Sequence, residues 1–173
     1  MSMDGSGEMT GDSTRCVHSS LDPEVTTGSV HTPIFQTSTY VQKDFSEHLG
    51  YEYARGDNPT RNALQRALAE MESPHQEAYG FCFGSGMAAI TTISQMLKQG
   101  DHVIACDDLY GGTVRLFDQI ASRFGIETSY SPLKGGDLGK LVRENSKILW
   151  LESPTNPLLT VHDIKSLAAE AKE

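Results

Sequence analysis

A short glycine-containing turn carries the clearest chemistry in the sequence. Residues 83–89 read Phe-Gly-Ser-Gly-Met-Ala-Ala and lie between a predicted strand and an amphipathic helix. Glycines allow a sharp turn, and the unpaired N–H groups at a helix start attract anions. The turn therefore predicts a phosphate site. A turn capped by Ser85 with no ligand explains the same residues.

One hypothesis for the ligand is a dinucleotide. Residues 84–89 fit the pattern Gly-x-Gly-x-x-Ala, which is typical of the dinucleotide-binding fingerprint. Asp107 or Asp108 follows at about the offset where an acid binds a ribose hydroxyl. An NAD-type oxidoreductase is therefore one candidate.

The other hypothesis is a cofactor with one phosphate and an aromatic ring. Tyr110 lies in a glycine-rich loop after one predicted strand, and Glu152 and Asn156 lie in a proline-rich loop after another. Ligands of open parallel sheets bind at the carboxyl ends of strands, where these loops should meet. Tyr110 could then stack on a flat heterocycle.

Composition excludes several other classes of protein. The formal net charge of -9 disfavours nucleic acid as a partner, because phosphate backbones need a basic surface. No apolar stretch approaches the length of a membrane span, so no membrane contact is expected. The six histidines lack the spacing of metal ligands, and three cysteines without a CxxC pair suit a cytoplasmic protein.

Strands and helices alternate along the part of the chain that positions these loops. Strands are predicted over 78–83, 103–106, 126–130 and 147–151. Helices are predicted over 60–71, 85–99, 113–124, 137–144 and from 163 onward, with caps at Thr60, Ser85, Asp137 and Asp163. This alternation predicts an α/β fold with a mainly parallel sheet covered by helices on both faces.

Three regions are predicted along the chain. Residues 1–13 are expected to be a disordered tail, residues 14–59 an extended N-terminal arm, and residues 60–173 the start of the α/β domain. The last helical pattern reaches Glu173 without a terminating residue. We therefore expect a fragment that stops inside its domain.

Five segments in the same order carry a family resemblance. They are Tyr-Glu-Tyr-Ala-Arg at 51–55, Asn-Pro-Thr-Arg at 58–61, the turn at 83–89, Asp-Leu-Tyr-Gly-Gly-Thr at 108–113 and Glu-Ser-Pro-Thr-Asn-Pro at 152–157. Together they resemble the Cys/Met-metabolism family of pyridoxal-phosphate enzymes, which includes cystathionine synthases and lyases. The resemblance favours pyridoxal 5'-phosphate over NAD, and it implies the large domain of fold type I.

The resemblance also implies roles for individual residues. The N–H groups of Gly86 and Met87 would hold the cofactor phosphate, and Asn156 would contact the 3-oxygen of the ring. Tyr110 would stack on the ring and assist proton transfer as a catalytic residue. Tyr53 and Arg55 would reach the phosphate of a neighbouring subunit, which implies a homo-oligomer, a dimer of dimers.

The implied activity is β- or γ-elimination or γ-replacement on an amino-acid substrate. Such substrates include cystathionine, homocysteine, cysteine and homoserine esters. The family's Schiff-base lysine lies in a Ser-x-Thr-Lys segment, and none of the seven lysines stands in one. We therefore expect this chain alone to be inactive, and a catalytically empty binding or dimerisation module remains an alternative.

Overall fold

The chain forms two compact units that divide between Cys82 and Phe83. The structure is a computed structural model, and it describes residues 11–19, 22–45, 47–74, 76–134, 136 and 138–172. The division lies after the helix that follows Pro59, whereas the sequence predicted a boundary between residues 59 and 60. Each unit is described by itself.

The first described element of the first unit is a helix that the sequence does not predict. α1 covers Asp12–His18, where a tail up to residue 13 and then an extended arm were predicted. Arg15 Nη1 lies 3.2 Å from Asp12 Oδ1 one turn away, and such pairs favour short helices. The extended interpretation was therefore wrong for α1, and residues 1–10 of the predicted tail lie outside the described residues.

The arm is a two-stranded antiparallel ribbon along part of its length. Its strands are β1, Gln42–Asp44, and β2, Glu47–His48. Further along, Thr39 pairs with Tyr53 in an isolated antiparallel bridge. The rings of Tyr40 and Tyr51 lie 5.4 Å apart between these two points. The ribbon thus leads the chain back to the segment that carries Tyr53 and Arg55.

α2 covers Pro59–Glu72, and its cap lies two residues before the predicted cap Thr60. Its cap is Asn58, whose Oδ1 accepts from the N–H groups of Thr60 (2.9 Å) and Arg61 (3.2 Å). Proline suits the first helical position, so Pro59 moves the cap to the residue before it. Thr60, the predicted cap, instead donates from Oγ1 to the Pro33 carbonyl at 2.8 Å, which fixes the arm to the helix.

The second unit is built on a three-stranded parallel sheet. Its strands are β3, His102–Cys106, β4, Glu127–Ser131, and β5, Ser146–Trp150. The order is β4-β3-β5, and every residue of the central β3 is buried. Three predicted strands are confirmed, and their parallel pairing brings their carboxyl ends to one edge.

Helices of the second unit begin at the predicted cap in two cases, and one begins two residues before its predicted start at Thr113. They are α3, Gly86–Ser94; α4, Gly111–Arg115, continued by a π-helical turn over Leu116–Ile120 and a 3-10 turn over Ala121–Phe124; α5, Leu138–Leu141; and α6, Ile164–Glu170. Ser85 and Asp163 cap α3 and α6 as predicted. Gly125 ends the α4 run with φ 75°, in the left-handed region that favours glycine. The predicted cap Asp137 lies outside the described residues.

The predicted strand at 78–83 is not formed. No described residue pairs with it in a ladder, and Cys82 instead donates its N–H to Gln65 Oε1 on α2 at 3.0 Å. The side chains of Tyr79 and Phe81 are three-quarters exposed. The alternating pattern describes an extended segment, but a strand also needs a neighbour to bond with.

Candidate functional site

The N-terminus of α3 is open. Ser85 Oγ accepts the N–H of Ala88 at 3.2 Å, and the Ser85 carbonyl accepts the N–H of Ala89 at 3.3 Å. The N–H groups of Gly86 and Met87 have no acceptor among the described residues. A Cβ built on Gly86 would meet nothing within 4 Å. The turn therefore presents two free donors and the positive end of a helix dipole to an open space.

Tyr110 lies next to this turn. A Cβ built on Gly112 would stand 2.5 Å from Tyr110 Cε1 and 2.8 Å from Met87 Sδ. Both side chains therefore lie against the bare Cα of Gly112, and the ring of Tyr110 is 45% exposed. The structure brings two of the predicted site elements together, the phosphate turn and the stacking ring.

Glu152 fixes the backbone that carries Tyr110. Its Oε2 accepts the Tyr110 N–H at 2.9 Å, and its Oε1 accepts the Thr113 hydroxyl at 3.2 Å. Tyr110 is the N-cap residue of α4 but makes no capping bond with its own side chain. The Glu152 carboxylate, which comes from another loop, thus serves as the cap and lies at the positive end of the helix dipole.

Asp108 makes the reciprocal contact. Its Oδ2 accepts the hydroxyl of the buried Thr155 and, at 3.1 Å, the N–H of Leu158. These two residues flank Asn156, whose side chain is exposed. Asp108 therefore holds the loop that presents Asn156, and its carboxylate is engaged inside the protein rather than available to a ribose hydroxyl.

Cys106 lies between the two loops at the end of β3. Its thiol is a weak donor to the Asp108 carbonyl at 3.7 Å, and its Sγ accepts the Glu152 N–H at 3.4 Å. Burial raises the pKa of the Cys106 thiol above its ordinary value. It is therefore a neutral packing group here and not a nucleophile.

The sequence pointed to the loops but missed these contacts. The sequence predicts Glu152 and Asn156 at the same sheet edge, and it offers Asp108 as a ribose ligand or as a cap of its own loop. The bonds join residues 42 and 50 positions apart. One sequence signal for the Glu152 contact was available. An acidic residue follows one strand, and the helix after the neighbouring strand begins without a capping side chain of its own.

Tyr53 and Arg55 belong to the first unit and lie side by side there. The Arg55 guanidinium carbon stands 5.1 Å from the centre of the Tyr53 ring, within range of a cation–π contact. Arg61 donates from Nη1 to the Ala54 carbonyl at 2.9 Å and from Nη2 to the Gly56 carbonyl at 2.7 Å. Both carbonyls next to Arg55 are thus fixed. Arg55 itself forms no ion pair with any described residue.

The described ranges lack both a cluster of metal ligands and a membrane-spanning helix. They contain no group of three or more His, Cys, Asp or Glu side chains placed to hold a metal ion. They also contain no helix that is both long and apolar enough to cross a membrane.

Comparison with known proteins decides the family. The profile of the family described as "Cys/Met metabolism PLP-dependent enzyme" matches residues 13–173. The chain belongs to this family. Membership confirms the resemblance and makes pyridoxal phosphate the cofactor, so the NAD-type alternative is wrong.

Curated relatives in the Cys/Met-metabolism family carry several enzyme names. The chain is 44% identical over 164 residues to a protein from Herpetosiphon aurantiacus named "Probable cystathionine gamma-synthase", matching 94% of this chain and 50% of the relative. It is 45% identical over 163 residues to a cystathionine beta-lyase from Coxiella burnetii, matching 92% of this chain and 41% of the relative. The chain thus spans about half the length of the curated relatives it matches.

A solved structure shows the same fold. A crystal structure of metB from Corynebacterium glutamicum matches 95% of this chain and 43% of its own chain, with a TM-score of 0.86 and 35% identity. The second unit is therefore part of the large domain of a fold-type-I enzyme of this family, as predicted.

The residues present fit the cofactor of the family. Free backbone donors at a helix start suit a phosphate group, and an exposed ring beside them suits a pyridine ring. The open space before Gly86 provides room for the phosphate.

Proposed function

We propose that this chain supplies the phosphate-binding and ring-stacking half of the cofactor site in an enzyme of sulfur amino-acid metabolism. The observation that carries the proposal is the open start of α3 beside the Tyr110 ring. The side chains of Met87 and Tyr110 both lie against Gly112. The activity proposed for the complete protein is β- or γ-elimination or γ-replacement. Its proposed substrates are cystathionine, homocysteine, cysteine or a homoserine ester.

Pyridoxal phosphate, when bound, acts as an electron sink for an attached amino acid. In the proposed site the N–H groups of Gly86 and Met87 bind the phosphate, and Asn156 contacts the 3-oxygen. The Tyr110 ring holds the pyridine plane, and its hydroxyl is proposed to move a proton at the substrate. These roles orient the reacting group, which is the protein's main contribution to cofactor chemistry.

Tyr53 and Arg55 are proposed to bind the phosphate of a neighbouring subunit. The support is their adjacency in the first unit, the exposure of both side chains, and the rigid turn that Arg61 fixes around them. An arginine fork with a tyrosine hydroxyl suits a phosphate. We further propose a homo-oligomer, a dimer of dimers, and a cytoplasmic location, with which three free cysteines agree.

A first experiment tests the site with the full chain and 4'-deoxypyridoxine 5'-phosphate, a probe that cannot react with lysine. We expect the amide NMR signals of Gly86 and Met87 to shift on binding. Tyr110→Ala should weaken binding about two- to tenfold, since ring stacking contributes roughly 0.5–1.5 kcal/mol. Tyr110→Phe should keep most of the affinity, and Tyr79→Ala, which alters an exposed tyrosine of the first unit, serves as the control.

The result that would contradict the site is equal affinity for the probe and for its phosphate-free form. Unchanged signals at both amides would contradict it as well.

A second experiment concerns turnover. Because no lysine stands in a Ser-x-Thr-Lys segment, we expect the chain alone to leave cystathionine unchanged. Turnover together with a borohydride-trapped pyridoxyl group at one specific lysine of the chain would overturn this expectation.

A further inference from the structure

The loops after β3 and β5 hold each other through two carboxylates. Glu152, in the second loop, accepts from the N–H of Tyr110 (2.9 Å) and the hydroxyl of Thr113 (3.2 Å) in the first. Asp108, in the first loop, accepts from the hydroxyl of Thr155 and the N–H of Leu158 in the second. We call this reciprocal pair the carboxylate brace.

The targets of the brace lie next to the groups that would meet the cofactor. Glu152 bonds the backbone of Tyr110 itself, the N-cap residue of α4. Asp108 bonds the residue before Asn156 and the second residue after it. Each carboxylate therefore restrains the position of a predicted cofactor contact.

Hydrogen-bond donors stabilise the negative charge of both carboxylates. Each carboxylate accepts one backbone N–H and one hydroxyl, and hydrogen bonds to ionised acceptors are stronger than neutral ones. Both side chains are half-buried, and Thr113 and Thr155 are fully buried. Neither carboxylate forms an ion pair with a described residue. The hydrogen bonds of both carboxylates therefore go to groups of the two loops.

We propose that Asp108 and Glu152 are positioning residues of the cofactor site, which lock the Tyr110 loop and the Asn156 loop in register before the cofactor binds. The inference rests on the proposed function, because that function assigns the two cofactor contacts to Tyr110 and Asn156. Its physical basis is preorganisation, since a loop fixed in advance loses less entropy on binding.

The variants separate positioning from charge. In Glu152→Gln the amide oxygen can still accept the Tyr110 N–H, and the amide nitrogen can donate to the Thr113 hydroxyl. In Asp108→Asn the amide oxygen can still accept both bonds that Oδ2 accepts. We expect both to bind 4'-deoxypyridoxine 5'-phosphate within about threefold of the unmodified chain, because they lose mainly the charge at a helix or loop. Glu152→Ala and Asp108→Ala lose the brace and should bind about tenfold more weakly.

Two controls exclude a general loss of folding. Asp107 is exposed, and its side chain makes no hydrogen bond with any described residue, so Asp107→Ala should bind the probe normally. Inorganic phosphate reaches only the start of α3, so its affinity should be the same in all five variants and the unmodified chain.

Hydrogen exchange supplies a readout that does not depend on the cofactor. The amide of Tyr110 should exchange faster in Glu152→Ala, and the amide of Leu158 should exchange faster in Asp108→Ala. Both should stay protected in the amide variants and in Asp107→Ala.

The outcomes are distinguishable from failure of the proposed function. Equal probe affinity in the alanine variants and the unmodified chain would overturn the inference, as would amide variants as weak as the alanine variants. If the unmodified chain does not bind the probe, the proposed function fails, and the brace is then decided by hydrogen exchange. Unchanged exchange in both alanine variants would overturn it in that case.

Discussion

At the scale of single residues, the site depends on the missing side chain of Gly112. A Cβ there would stand 2.5 Å from the Tyr110 ring and 2.8 Å from Met87 Sδ, closer than packed atoms approach. We expect Gly112→Ala to push the Tyr110 ring away from the α3 turn. Binding of 4'-deoxypyridoxine 5'-phosphate should fall about two- to tenfold, by the loss of ring stacking.

Gly111→Ala is the matched control for this prediction. Its Cβ would meet only the Arg115 guanidinium at 3.3 Å, and that flexible group can move. Both substitutions replace glycine by alanine in α4, so each variant gains the same helix propensity of about 1 kcal/mol. Equal affinity of the two variants for the probe would show that Gly112 has no role in placing the ring.

Residue-scale prediction succeeded where a local rule applied. Ser85 and Asp163 cap their helices because a short polar side chain reaches an N–H two or three residues ahead. Asn58 was missed because Asn58 and Thr60 both have side chains that suit a cap, and Pro59 between them favours the earlier residue. Contacts of Glu152 and Asp108 depend on tertiary structure, and no local pattern encodes them.

At the scale of elements, the segment after α2 is held by close backbone contact. A Cβ on Gly80 would stand 2.2 Å from the Gln65 carbonyl oxygen, and a backbone atom of a helix cannot move aside cheaply. We expect Gly80→Ala to lower the free energy of unfolding by about 1–3 kcal/mol, as overpacking does. Urea denaturation measures this.

Gly84→Ala serves for comparison, because its Cβ meets nothing within 4 Å. It should change the free energy of unfolding little. A Gly80→Ala chain as stable as the Gly84→Ala chain would mean that the segment does not pack on α2.

His102, the first residue of β3, connects β3 to both neighbouring strands. Its Nδ1 lies 2.8 Å from Ser146 Oγ on β5, and its Nε2 lies 2.9 Å from Ser129 Oγ on β4. Burial lowers the pKa of His102 below its ordinary value, and the nearby Arg143 lowers it further, while Glu127 opposes them. The neutral ring is therefore the form that the fold holds.

A pH dependence follows from this lowered pKa. The unfolded chain binds the His102 proton more readily than the folded chain does, so His102 stabilises the fold fully above about pH 6.5. This contribution is lost as the pH falls from there through the lower folded pKa. We expect the Tm to fall between pH 7.5 and 5.5, with a smaller slope for His102→Gln. Equal slopes in both proteins would contradict the assignment to His102.

Helices and strands were predictable where the apolar pattern and the cap residue lie within one continuous stretch of the chain. Strands β3, β4 and β5 and the starts of α3 and α6 follow from apolar runs and caps. The strand at 78–83 was wrong because strand formation depends on a partner, and the π-helical turn at Leu116–Ile120 has no recognised sequence pattern. The ribbon at 42–48 was read only as extended, because its pairing joins residues across a turn.

At the scale of the whole molecule, the order of the five motifs carried more information than any one of them. The turn at 83–89 alone left NAD and pyridoxal phosphate open, and the family match over 13–173 decided between them. The structure supports this by placing Tyr110 beside Met87. Tyr53 and Arg55 belong to the first unit and Tyr110 to the second, and only the family resemblance assigns Tyr53 and Arg55 to a neighbouring copy of the chain.

Complementation between two defective chains tests whether Tyr53 and Arg55 serve a second copy. Arg55→Ala removes a charge-assisted bond to phosphate, so affinity for 4'-deoxypyridoxine 5'-phosphate should fall roughly ten- to a hundredfold. Met87→Pro removes one phosphate-binding N–H while proline still suits the first turn of α3. Each variant alone should bind weakly.

Mixing the two variants should restore binding if the contact is made between copies. The Arg55→Ala chain keeps an intact α3 turn, and the Met87→Pro chain supplies an intact Arg55 to it, so each mixed dimer should hold one site of normal affinity. Isothermal titration of the mixture measures that site, and Arg66→Ala, an exposed arginine of α2, replaces Arg55→Ala in the control. If the contact is made within one copy, neither chain has a complete site, and the mixture should bind no better than its separate components.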